Sequence, residues 1–234
     1  GAEVMSIVST ADENQPEFVK RTDKDLDALT ADEIREIAKE AGLVGMGGAA
    51  FPTHVKLAPP KDKPVDMVII NACECEPFLT CDHRQMLERP GDMIAGVRLL
   101  KTAAGASKAI IGVEANKMDA VDALRASLGS DKEVEVEVLE VKYPEGAEKM
   151  LIYALTGRKV PPGKLPSEVG CLVQNVGTSI ALYEAAASGK PLYERVLTVT
   201  GPGIREPGNL LAAIGTPISE LIDFCGGTVG NPAK

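Results

Sequence analysis

The chain has 234 residues, of which 44% are hydrophobic, 25% charged and only 3% aromatic, with no Trp. Such a composition suits a globular protein whose core is built from Val, Ile, Leu, Ala and Met, long enough for one good-sized domain or for one domain plus a smaller one. A net charge of −9 argues against a nucleic-acid partner, which needs a basic surface over phosphates. No apolar run reaches the ~18 residues of a membrane span, and no secretory leader is legible, so no direct span is expected. Five scattered cysteines, Cys73, Cys75, Cys81, Cys171 and Cys225, fit reduced thiols in the cytoplasm better than a disulfide framework.

Residues 1–29 are polar and acidic without an apolar period and read as a loosely ordered lead-in. Thr30 and Glu33 have the spacing of a capping box, Ile34, Ile37, Ala38 and Ala41 follow at helical spacing, and Gly42 supplies a stop. A glycine-rich loop over 42–52 comes next. Residues 65–70 read as a buried strand that runs straight into Asn71-Ala-Cys-Glu-Cys-Glu-Pro77. Helical periodicity over 90–104 closes at Gly105, and 108–113 reads as a strand. A helix over 117–128 precedes a strand over 133–141, where Val134, Val136 and Val138 alternate with Glu135 and Glu137. Residues 146–155 are helical, 170–176 a strand and 178–187 a helix. This alternation predicts an α/β fold with a largely parallel sheet and right-handed crossovers. Near Pro191 the character changes: 195–200 is β-branched, Gly201-Pro-Gly203 is a turn, and short elements over 210–225 look like the start of a second small domain.

Four segments can carry chemistry. In the glycine-rich loop, Gly45, Gly47 and Gly48 free the backbone for close approach to a phosphate or flavin, with Lys56 nearby as a cation; the alternative is a tight structural turn. The loop follows a helix, unlike the dinucleotide fingerprint, and lacks the Gly-Lys-Ser/Thr ending of a phosphate loop. Asn71, Glu74 and Glu76 lie at the carboxyl end of a parallel strand, where ligands of open α/β sheets collect; the alternative is an acidic loop with a buried Cys73. Tyr143 to Lys149 opens a helix at Gly146, as a ligand loop or an ordinary turn. Gln174, Asn175 and Thr178 end another strand. Cys73, Cys75, Cys81 and His83 cluster in sequence, but their spacing fits neither a zinc clamp nor an iron–sulfur run, so no metal ligand is assigned. The two histidines accompany no nucleophile motif, and no catalytic side chain is assigned.

Taken in order, residues 42–57, 74–84, 142–149 and 173–178 resemble the C subunit of the Rnf electron-transport complex, and residues 194–227 resemble the opening of that family's β-grasp (SLBB) domain. The same architecture recurs in the NADH-oxidising flavoprotein subunit of respiratory complex I and in a cobalamin reductase of propanediol-utilising microcompartments. The resemblance implies a Rossmann-like sheet flanked by helices over 30–193 and a partial β-grasp segment over 194–234. It implies FMN held by Gly45, Gly47, Gly48, Lys56, Asn71, Glu74, Tyr143, Gly146 and Glu148, with Gln174, Asn175 and Thr178 at the phosphate end. Phe51 and Glu76 would hold NADH. Complex I flavoproteins have Asp where this chain has Cys73, and a Gly-Glu-Glu run where it has Gly146-Ala147-Glu148, so the Rnf branch is the better guide. The family continues into cysteine-rich runs that ligate [4Fe–4S] clusters, expected only in a longer chain. The implied function is electron input between NADH and FMN, in the cytoplasm at the inner face of the cell membrane, through partner subunits of a membrane complex. The alternatives are a flavin-free docking domain of the same fold and a cobalamin- or amino-acid-linked flavin reductase.

Overall fold

In a computed structural model, residues 4–7 and 18–230 are described, with side chains from residue 18 onward. The elements in chain order are β1 (Val4–Ile7), α1 (Ala31–Glu40), α2 (Thr53–Lys56), β2 (Met67–Ala72), α3 (Cys81–Glu88), α4 (Pro90–Ala104) and β3 (Lys108–Glu114). They continue with α5 (Met118–Leu128), β4 (Val134–Leu139), α6 (Glu148–Thr156), β5 (Cys171–Asn175), α7 (Val176–Ser188), β6 (Glu194–Val199), β7 (Gly208–Ala213) and α8 (Ile218–Phe224). Short 3-10 turns at 26–28, 115–117 and 166–169 connect them.

The main sheet has the order β4-β3-β2-β5 with every neighbour parallel, so the expected α/β class is borne out. Alternate residues of β2 point to opposite layers, as the pleat requires. Val68 and Ile70 pack with Leu100, Val121, Leu124 and Leu182 of α4, α5 and α7. Ile69 packs on the other face with Leu151 and Ile152 of α6. Helices α4 and α7 approach so closely that a Cβ on Gly96 would stand 1.9 Å from the Ser179 carbonyl oxygen. The capping box of α1 forms in both directions: Glu33 N donates to Thr30 Oγ1, and Thr30 N donates to Glu33 Oε2 at 2.9 Å. Pro90 opens α4, and Gly105 ends it in the left-handed region, φ +71°.

A second sheet, β1-β7-β6, packs Leu210, Ala212, Leu221 and Cys225 into its own small core. Here the reading of 1–29 as a loosely ordered lead-in is corrected where the chain is described; residues 1–3 and 8–17 of that segment lie outside the described residues. Residues 4–7 pair in parallel with β7, and 26–28 form a turn of 3-10 helix. The partner of β1 lies some two hundred residues away, so local periodicity carries no trace of it. Other boundaries move by one or two residues. The helix expected from Gly146 begins at Glu148, after a turn closed by Ala147 N on Pro144 O. Lys117 lies outside α5 as its N-cap. The short helices α2 and α3 had no sequence assignment; in α3 the polar run Asp82-His83-Arg84 and Glu88 surround its buried Gln85 and Met86 and mask them.

Candidate functional site

The chain builds β2, β3 and β4 in one direction across the sheet and then returns to place β5 on the other side of β2. Loops leaving the carboxyl ends of β2 and β5 therefore diverge, and the sheet opens a crevice between them, the usual ligand position in such folds. Asn71 and Asn175 are register partners at that opening. Two clefts meet there, of about 450 Å³ and about 370 Å³, each within the range of small-ligand sites. Both are lined by Gly47, Asn71, Gly146, Ala147 and Asn175.

The glycine-rich loop crosses this crevice. Its neck is pinned by a bridge between Val44 and Pro52 and by Gly45 N donating to Phe51 O at 2.8 Å. Gly48 sits at φ +119°, a conformation closed to side-chain-bearing residues, and Ala50 is held at φ +49°. Inside the loop, Met46 N donates to Thr178 Oγ1 at 3.0 Å, and the Arg195 guanidinium donates to Met46 O. The loop is thus held from below by α7 and from the side by β6.

The β2 exit is fixed as firmly. Asn71 Nδ2 donates to Gly146 O at 2.7 Å, and Asn71 Oδ1 accepts from Cys73 N at 3.2 Å. Glu74, at φ +42°, turns its carboxylate onto the start of α3, accepting from Asp82 N at 2.8 Å and His83 N at 3.2 Å. Asn175 caps α7 through Gly177 N at 2.9 Å and donates from Nδ2 to Asp82 Oδ2 at 2.6 Å. Burial and the neighbouring Glu74 carboxylate push the Asp82 carboxyl up to about 7. Ala50, Glu74 and Phe78 are the non-glycine residues with positive φ among those described; Ala50 and Glu74 border the crevice, and Phe78 lines a neighbouring cleft with Glu114 and Lys117. Strain of this kind, about 1–3 kcal/mol per residue, collects at ligand sites.

Every residue expected at the site lies on one of these clefts or directly behind it. Gly47, Gly48, Asn71, Glu74, Tyr143, Gly146 and Asn175 line the larger one. Gly45, Lys56, Glu148 and Gln174 line the smaller, where Lys56 Nζ and Glu148 Oε1 pair at 3.1 Å. Thr178 is wholly buried and reaches the glycine loop rather than the open space. Phe51 and Glu76 fall on different clefts, Phe51 on the smaller and Glu76 on the larger. Phe51 and Tyr143 are 50% and 77% exposed at the crevice, in a chain with only four Phe and four Tyr.

Sequence reasoning missed Arg195 and Val196, which reach the larger cleft from the second sheet, because nothing local signals that approach. It also missed Asp82 and Gln85. The cysteine cluster does not assemble: Cys73 is buried with its thiol near Gly112 O, and His83 Nε2 lies 2.8 Å from Asp119. Glu74, Cys81 and Asp82 do converge, but both carboxylates are engaged in the bonds above, and burial pushes the Cys81 thiol up to about 12.

The residues fit a flavin nucleotide on their own chemistry. A glycine-walled crevice admits a flat ring, with exposed aromatics at its edge. The Gln174 side chain is buried, yet its Nε2 has no hydrogen-bond partner among the described residues. Gln174 lines the smaller cleft, and a buried donor without a partner is costly.

Fold and crevice define an α/β domain with a ligand-sized crevice at its switch point, and the comparisons give it a family. A model described as the Nuo51 FMN-binding domain matches residues 38–184, and one described as the SLBB domain matches residues 196–234. The chain belongs to the family of Nuo51 FMN-binding domains. It is 50% identical over 213 residues to the C subunit of the proton-translocating ferredoxin:NAD(+) oxidoreductase complex of Clostridium ljungdahlii, covering 91% of this chain and 46% of that one. Against the C subunit of the Na(+)-translocating ferredoxin:NAD(+) oxidoreductase complex of Acetobacterium woodii, the identity is 48% over 209 residues, covering 89% and 47%. The resemblance to the Rnf C subunit is therefore borne out, and the chain spans about half the length of these relatives. Among solved structures, an NAD+-reducing [NiFe]-hydrogenase in the H2-reduced state superposes with a TM-score of 0.75 at 25% identity, over 88% of this chain and 40% of that one. Among the described residues no helix is long and apolar enough to cross a membrane.

Proposed function

We propose that this chain is the electron-input module of an NADH-linked, ferredoxin:NAD-type complex, moving electrons between NADH and FMN. A Rossmann-like unit over 30–193 would carry the site, and a β-grasp segment over 194–234 would brace it. The observation that carries this reading is the glycine-walled crevice at the β2–β5 switch point, with the unpartnered Gln174 amide in its wall. Relatives named as ferredoxin:NAD(+) oxidoreductase subunits support it.

In this reading Gly45, Gly47, Gly48 and Gly146 give the ligand access to main-chain groups. Lys56 and Gln174 supply a charge and an amide donor, and Tyr143 and Glu148 border the ring. Asn71, Glu74, Asn175 and Thr178 act by holding the loops, since their polar atoms are already engaged with other groups of the chain. Phe51 and Glu76 receive the nicotinamide nucleotide. FMN, when bound, would supply the redox chemistry that links a two-electron donor to one-electron acceptors, while the protein contributes position, electrostatics and exclusion of water. The [4Fe–4S] clusters that would take those electrons belong to a longer chain. Such a module would sit at the inner face of the cell membrane through partner subunits.

The test is an absorbance spectrum after FMN loading and removal of excess, followed by NADH without oxygen. A retained flavin band that bleaches is the expected result. Protein that retains no flavin refutes the proposal for this chain and favours a docking domain.

A further inference from the structure

Behind the β2 exit lies a feature that the proposed ligand contacts leave unexplained. Glu114, the last residue of β3, and Lys117, three residues on, form an ion pair at 3.1 Å with side chains only 4% and 7% exposed. Burying two charges is expensive, and a well-packed apolar pair in their place is often as stable or more so. Fold stability alone is therefore a poor reason for the pair. The lysine has a second use: Nζ donates to the Cys73 carbonyl oxygen at 3.1 Å.

That carbonyl sits at a critical place. The ladder between β2 and β3 ends at Ala72 opposite Val113, so Cys73 O lies one residue beyond its last strand partner, and the lysine replaces the missing donor. The Cys73 carbonyl and the Glu74 amide belong to one rigid peptide plane. Fixing that plane fixes the axis about which Glu74 takes its positive φ. From Glu74 the contacts continue to Asp82 N and His83 N, and from Asp82 to Asn175 at the head of α7. One buried ammonium thus sets the direction in which the whole wall formed by Glu74, Cys75, Glu76 and Asp82 leaves the sheet.

We infer that Lys117, neutralised by Glu114, is a positioning residue for the ligand site: it holds the β2-exit loop in its strained, ligand-competent path through the Cys73 carbonyl. The inference rests on the flavin reading above for what the loop serves, and on the structure alone for what the lysine holds.

K117M by itself leaves a buried, unpaired carboxylate and is expected to lose stability. The informative variant is K117M/E114M, which replaces both charges by apolar side chains of similar length. We expect its thermal midpoint to return close to wild type. Amide hydrogen exchange over residues 74–79, read without ligand, should still be at least ~10-fold faster than in wild type, because the Cys73 carbonyl has lost its donor. FMN affinity, read by fluorescence quenching, should fall by at least ~10-fold in the same variant. Restored stability with wild-type exchange over 74–79 overturns the inference. Faster exchange with unchanged FMN affinity overturns its connection to the site. Wild-type protein that takes up no FMN defeats the flavin reading, and exchange over 74–79 then decides the lysine's role by itself.

Discussion

Asp82 offers the most direct check on the electrostatics of the crevice. Its carboxyl lies half-buried at the foot of the larger cleft, beside the Glu74 carboxylate, and its folded-state pKa is pushed up to about 7 from an ordinary value of 3.8. A group raised in this way binds its proton more tightly in the folded chain than in the unfolded one. Its stabilising contribution is therefore complete below about pH 4 and is lost as the pH rises through 7. Three pKa steps set a ceiling of about 4 kcal/mol, and solvent in the cleft screens this to about 1–2 kcal/mol. Asp82→Asn cannot ionise and still accepts from Asn175 Nδ2. Urea unfolding of both proteins at pH 5 and pH 8 isolates the effect, since the other titrating groups are common to both. The variant should gain about 1–2 kcal/mol on wild type between pH 5 and pH 8. A difference that stays constant, or moves the other way, would refute the assignment of a buried, proton-holding carboxyl.

Gly96→Ala drives a methyl to within 1.9 Å of the Ser179 carbonyl oxygen, and backbone cannot yield as a side chain does. A loss above about 3 kcal/mol, read by urea denaturation, is expected. Gly146→Ala places its Cβ 3.0 Å from Cys75 Sγ and 3.3 Å from Cys73 Cβ. It should cost about 1 kcal/mol of stability but weaken FMN binding at least ~10-fold by pushing the two ligand loops apart; equal FMN affinity would count against that crevice as the site. Arg195→Ala removes the donor to Met46 O from an exposed position, so thermal stability should change by less than about 1 kcal/mol. FMN affinity in the same variant should fall several-fold, as the glycine loop loses its lateral anchor.

Much of this architecture is written locally. The helix over Pro90–Ala104 has its proline start and glycine stop in the sequence, and the Val/Glu alternation of β4 survives as buried and exposed positions over 134–137, while Val138 at the strand's end is exposed. Strand ends at Asn71 and Asn175 were legible because each apolar run terminates in polar residues. What the sequence withholds is pairing across long separations. The strand at 4–7 acquires its meaning only from β7, and Arg195 reaches the glycine loop from a different sheet. Lys117 read as the first residue of a helix, because the carbonyl that it serves lies forty-four positions away. Glu74 and Asn175 were legible as polar groups near a ligand, but their hydrogen bonds to helix starts are visible only once α3 and α7 are in place.

This division of labour among polar groups separates two kinds of site residue, and Gln174 tests the distinction. Asn71, Glu74, Asn175 and Thr178 spend their hydrogen bonds within the protein, so the crevice is shaped before any ligand arrives, which lowers the cost of ordering it on binding. Truncating any of them should be felt in ligand-free protein. Gln174 is the opposite case: it is 4% exposed and its Nε2 has no partner among the described residues, so the folded chain carries the desolvation cost of that donor without a return. Gln174→Met keeps the length of the side chain and removes the open donor. Ligand-free protein should then be unchanged or more stable by about 1 kcal/mol, while FMN affinity should fall at least ~10-fold. Thermal melts with and without saturating FMN read both effects, because a ligand that binds only the folded state raises the midpoint in proportion to its affinity. A variant that is destabilised without ligand would show that the amide serves the fold. One that is shifted by FMN as far as wild type would remove Gln174 from the site.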